Sequence, residues 1–194
     1  MLFRSEWILD ELKTVDLPDQ RLNQRLTLLL DRCSARPSAS FPQACQGRSE
    51  LEAAYRFFSN PRNNPDNILA PHRDATLKRI RQHPVVLVAQ DTTELDLTRP
   101  QEVVGGPLSN DHRRGLFAHP LVAFTPDGLP LGTVALDWWA RGPKRVRKGR
   151  KRKHRSLQEK ESRRWSQGYQ EACRVAATAA DTEIICLSNS EGDI

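Results

Sequence analysis

Apolar positions recur at helical spacing in the first part of the chain and gather into strand-like runs after it. Leu22, Leu26, Leu29, Leu30 and Cys33 share one face when the chain is wound at about 100° per residue. With Pro18-Asp19 before them and Pro37 after, they predict a helix from Asp19 to Arg36. "SELEAAYRFFSNP", Ser49 to Pro61, predicts a second helix. Ser49 is its expected cap, Glu52 completes a capping box, and Leu51, Ala54, Tyr55 and Phe58 form the expected core face. Residues 63–84 predict a short turn and a third helix carrying Leu69, Leu77 and Ile80.

The pattern changes at Pro84. Val85 to Ala89 is an unbroken, β-branched run that suits a central strand buried on both faces. Gly115 to Arg141 holds two strand-like runs around "TPDGLP", a hairpin signal. Glu159 to Ala180 predicts a long helix with Trp165, Tyr169, Cys173 and Ala176 on one face, and Glu183 to Asn189 a last buried strand. A helical crossover lets that strand lie parallel to an earlier one. The predicted class is therefore α+β or α/β. A small helical domain (1–82) precedes an incomplete ribonuclease-H-like mixed sheet with a helix (83–194), in which the first and fourth strands are neighbours and their carboxylate-bearing ends meet.

Charge sharpens the picture. The chain of 194 residues carries a net +6, but Arg141 to Arg155, "RGPKRVRKGRKRKHR", holds ten Lys or Arg and no acid. The rest of the chain is mildly acidic, so the basicity is local. Lys144, Arg145, Arg147, Lys148, Arg150, Lys151, Arg152 and Lys153 form a loop-like run dense enough to bind a phosphate backbone without reading sequence. Arg21, Arg25, Arg32 and Arg36 make a second basic stripe, beside the apolar face of the first helix. They either track a phosphate backbone or form a solvated helix face, with Arg25 and Arg32 paired to acids such as Asp31. Cys33, Cys45, Cys173 and Cys186 form no C-x-x-C pair, and the expectation is reduced, buried thiols in a cytoplasmic protein. No run reaches the roughly 18 apolar residues of a membrane helix.

Asp91 closes the apolar run in "VVLVAQDTTELD". A carboxylate there must be balanced. It caps a turn through the amides of Thr93 or Glu94, pairs with a cation, or binds a divalent metal with a second carboxylate from a neighbouring strand.

"LPDQRLNQRL", "EAAYRFFSNP", "VVLVAQDTTELD", "LGTVALDWWAR" and "EKESRRW", in that order and spacing, resemble bacterial insertion-sequence DDE transposases of the transposon-five type. The likeness runs from about Leu17 onward. It implies a helical domain gripping transposon ends, then a catalytic domain whose Asp, Asp and Glu bind two Mg²⁺ or Mn²⁺. Position by position, it implies that Asp91 is the first catalytic aspartate and metal ligand. Arg25 is an arginine on end DNA with Arg21 beside it, and Glu52 is a polar residue near the DNA. Trp138-Trp139 matches a strand-end pair, with core packing the favoured role.

Where the family pattern has its second aspartate, this sequence has Asn189, a degenerate position. Glu191 and Asp193 follow it, and the family's glutamate helix would lie beyond Ile194. The expectation is the DNA-binding N-terminal portion of a cut-and-paste transposase, bacterial and nucleoid-associated, with double-stranded transposon ends as partner. The resemblance implies weak or absent Mg²⁺ or Mn²⁺ binding and no strand cleavage by this chain alone. Two other outcomes stay open: a regulatory fragment that competes for DNA or pairs with full-length transposase, and half of a split enzyme completed in trans.

Overall fold

The computed structural model describes residues 6–99, 104–110, 112–142 and 163–189. The chain divides into two compact units, one through Ala75 and one from Thr76.

The first unit is helical. It comprises α1 (Glu6–Glu11), α2 (Gln20–Ala35), α3 (Phe41–Ala44), α4 (Arg48–Phe58) and the start of α5 (Pro65–Ile80). Asp19 caps α2 by accepting from the Arg21 amide. The core holds Ile8, Leu12, Leu17, Leu26, Leu29, Cys45, Ala54 and Phe57.

Two expectations for α4 fail. The helix begins at Arg48 behind Gly47, whose φ of 96° favours glycine, so Ser49 lies inside the helix and caps nothing. The capping box is instead formed by Ser40 and Gln43 on α3, a helix of four residues. Ala54 and Phe57 are the buried residues of the helix, while Tyr55 and Phe58 are 53% and 58% exposed.

The second unit is a mixed sheet with a helix. Its strands are β1 (Val85–Gln90), β2 (Thr93–Asp96), β3 (Gly106–Pro107), β4 (Arg114–Phe124), β5 (Pro130–Trp139) and β6 (Glu183–Leu187), with α6 (Arg163–Thr178) before the last. The eleven-residue β4 is the spine. One edge pairs with β5 along its length; the other pairs with β1 through Leu121–Phe124 and with β2 through Gly115–Ala118. Thus β2 continues the line of β1, with a break at Asp91-Thr92. β6 lies parallel on the far side of β1, Val85 opposite Glu183 and Ala89 opposite Leu187. This is the expected ribonuclease-H-like order. The β4–β5 turn is closed by the Gly128 amide on the Thr125 carbonyl and the Thr125 amide on the Leu129 carbonyl, both at 2.9 Å.

Only one face of β1 is deeply buried. Val86, Val88 and Gln90 lie beneath α6, while Val85, Leu87 and Ala89 on the other face are half-buried, not sealed as expected. β6 is an edge strand among the described residues, with Ile185 38% and Leu187 42% exposed, so it too is not the buried strand its composition suggests. The inward face of α6 is Trp165, Gly168, Ala172 and Val175; Tyr169 and Cys173 point away from the core. Gly168 faces the sheet: a Cβ there would meet Gln90 Oε1 at 2.0 Å, so a larger residue requires the Gln90 side chain to shift. The thiols are free, but only Cys45 is fully buried and Cys173 is exposed. No helix among the described residues is long and apolar enough to cross a membrane.

Candidate nucleic-acid interface and strand-end site

The arginines of α2 divide into three kinds. Arg21 is almost fully exposed and reaches back to the cap, its guanidinium 2.9 Å from Asp19. That bond and the Arg21 amide hold the Asp19 carboxyl down at about 2. Arg25 is half-exposed and has no ion pair among the described residues. Arg32 is not on the surface. Its Nε lies 3.0 Å from Glu50 and its Nη1 3.5 Å from Asp31, with all three side chains nearly buried. Arg32 therefore ties α2 to α4 and leaves the outward stripe, as the pairing alternative anticipated. Arg36 donates to the Gln43 carbonyl at 3.1 Å. Glu52 is half-exposed and 2.8 Å from Arg48, one turn earlier on α4.

The strand-end site is built by the parallel pairing of β1 and β6. Asp91 follows β1, Asn189 follows β6 by two residues, and Asn189 Nδ2 donates to Asp91 Oδ1 at 3.0 Å. The same oxygen accepts from the Thr92 amide at 2.7 Å, one residue nearer than the expected turn cap on Thr93 or Glu94. The topology thus brings the two positions together.

The nearby acids have other partners. Glu94 accepts from the Ser109 amide at 2.8 Å, and that bond lowers its pKa. Asp96 accepts from Thr98 and lies 3.0 Å from Arg113. Asp137 is held 2.8 Å from Arg164.

Beneath Asp91 lies a support that composition did not signal. His119, on the α6 side of β4, is buried against the Trp165 edge at 4.8 Å. Its Nε2 meets Gln90 Oε1 at 3.1 Å and its Nδ1 meets Thr92 Oγ1 at 2.8 Å. Burial lowers the His119 pKa against the opposing pull of Asp137 and Asp91. The neutral ring then donates from Nε2 to Gln90 and accepts the Thr92 hydroxyl proton at Nδ1. Gln90 in turn donates to Cys186 Sγ at 3.5 Å. The corner that carries Asp91 is therefore fixed from below.

The tryptophan pair divides. Trp138 is 54% exposed, so it does not pack in the core. Trp139 stacks on Phe117 at 5.2 Å. Arg164 lies 3.5 Å over Trp139 and Arg141 4.1 Å over Phe117, so two cations flank the stacked pair. Arg141 opens the basic run; Lys144 to Arg155 lie outside the described residues, as do Glu191 and Asp193.

Among the described residues, the donors that Asp91 and Asn189 bring to this corner, one carboxylate and one amide, do not fit a pair of divalent cations. Among the described residues no three His, Cys, Asp or Glu side chains are placed to hold a metal ion. Asn189 presents its amide nitrogen to Asp91, and an amide brings no negative charge to a site that needs it.

Residues 4–63 match the family model for transposase DNA-binding. The helical unit, with α2 and α4 inside that span, is therefore similar to the DNA-binding domain of transposases.

Proposed function

We propose that this chain acts by occupying DNA, as the end-binding portion of a cut-and-paste transposase of the insertion-sequence DDE type, and that it does not cut or join strands alone. The observation that carries the binding half is the match of residues 4–63 to a transposase DNA-binding model. Arg21 and Arg25 on the outward side of α2 are the proposed phosphate contacts, Glu52 a polar residue at the DNA, and the run from Lys144 to Lys153 a second, sequence-independent contact. The silent half is supported by the Asn189–Asp91 bond, which fills with a neutral amide the place where the family resemblance puts a second acid. Electrophoretic shifts on transposon-end and random duplexes across a salt series test the binding. Incubation with the same duplexes and Mg²⁺ or Mn²⁺ tests the silence. Metal-dependent nicking that Asp91→Ala abolishes would overturn it.

The meeting of Asp91 and Asn189 at the strand ends favours a second reading, in which acids supplied by another polypeptide complete the site at Asp91. Its signature is nicking when a separately expressed glutamate-bearing half is added. A regulatory fragment shows the opposite: transposition falls when it is co-expressed with full-length transposase.

A further inference from the structure

Three aromatic rings stand together on the surface of the helical unit. Tyr55 and Phe58 are each more than half exposed, and Phe41 packs against both, with centroids 6.5 and 5.3 Å apart. Phe57, next to Phe58 in sequence and 5.4 Å from it, is buried in the core. The exposed rings are thus seated on a fixed base. A small domain gains by burying large rings, and a cluster left in solvent marks a contact surface.

Charge selects what covers it. The acids of α4 are engaged, Glu50 by buried Arg32 and Glu52 by Arg48. Arg56 adjoins Tyr55 and Arg62 follows Phe58 by four residues, and neither has an ion pair among the described residues. Arg36 bonds only a neutral carbonyl, that of Gln43 on the same short helix as Phe41. An apolar protein surface would have to cover three arginines that no ion pair among the described residues neutralises. A polyanion that also carries flat apolar rings satisfies both features.

We propose that the Phe41–Tyr55–Phe58 patch receives nucleobases of the bound DNA, while Arg36, Arg56 and Arg62 take the flanking phosphates. This rests on the DNA-binding reading above and deepens it by assigning a base-contacting surface. Stacking on aromatic rings tolerates any base, and the same rings can meet thymine methyls in a duplex groove. The bases therefore come from an unpaired strand or from a groove.

The test uses the full chain and two fluorescein-labelled probes, a mixed-sequence duplex and one of its strands. Tyr55→Ser/Phe58→Ser is expected to weaken binding to at least one probe about tenfold or more, the effect of losing stacked bases. The salt slope stays unchanged, because no phosphate contact is lost. Arg56→Ala lowers that slope by about 1. Tyr55→Leu/Phe58→Leu keeps the apolar bulk, so it guards against misfolding, and is expected to lose affinity as well; Tyr55→Trp/Phe58→Trp retains it. Unchanged affinity of the Leu variant on both probes overturns the proposal, as does a dimer that the Ser variant dissociates without loss of DNA affinity. Wild-type protein that binds neither probe would instead overturn the DNA-binding reading beneath it.

Discussion

Asn189 donates its side-chain amide to Asp91 across the parallel β1–β6 pair, at 3.0 Å. A neutral donor here stabilises the Asp91 carboxylate. Asn189→Asp reverses that relation, because two carboxylates within bonding distance repel and one is driven toward protonation. We expect the variant to melt roughly 2–4 °C below wild type in chelator, about 1 kcal/mol for a chain of this size. Millimolar Mn²⁺ should return that loss, since an ion that binds only the folded state stabilises it. Thermal denaturation with and without Mn²⁺ reads both effects; a variant indifferent to Mn²⁺ would show that the corner cannot hold a cation even with two acids.

Arg32 and Arg25 look alike in sequence and should behave oppositely in stability. Arg32→Met leaves Glu50 and Asp31 nearly buried without their counter-charge. Breaking a buried pair in this way costs about 3–5 kcal/mol. Arg25→Ala removes a half-exposed side chain and should change stability by about 0.5 kcal/mol or less. Urea denaturation followed by helical circular dichroism distinguishes them.

Binding should show the reverse order. Arg21→Ala and Arg25→Ala are each expected to lower the slope of log affinity against log salt by about 1 on duplex DNA. An unchanged slope in both would remove α2 from the phosphate-contacting surface.

His119 ties stability to pH. Burial, its largest influence, depresses its pKa; Arg164 adds to that, and Asp137 and Asp91 oppose it. A folded pKa below the unfolded value of about 6.5 means that the unfolded chain takes up the proton first. The contribution is therefore fully present above about 6.5 and declines as pH falls toward the folded value. The melting temperature of wild type should drop through that window, and His119→Asn should flatten this part of the curve.

Much of the scaffold was legible because its signals are local. Pro18-Asp19 and Pro37 bracket α2, "TPDGLP" makes the hairpin, and the crossover places β6 beside β1 so that residues 91 and 189 meet. Errors arose where burial depends on distant neighbours. Tyr55 and Phe58 are apolar and helically spaced, yet Phe57 takes the buried place between them. Gly168 carries no apolar signal, yet it lies on the face of α6 that meets the sheet. The His119–Thr92 bond joins residues 27 apart in sequence, and no spacing announces it. The roles proposed for Arg21, Arg25 and Glu52 rest on the family resemblance, since a solvated arginine looks the same with or without DNA.

The β4–β5 hairpin closes through one short turn, whereas the Asp91–Asn189 contact spans 98 residues. Loop closure over that distance is entropically costly until the intervening elements have packed. During synthesis β1 therefore waits on β4 with one flank bare until β6 leaves the ribosome. Among the described strands, the carboxylate corner is the last part to mature, and a ribosome-stalled chain halted before Glu183 should display an ordered hairpin beside an unfinished site.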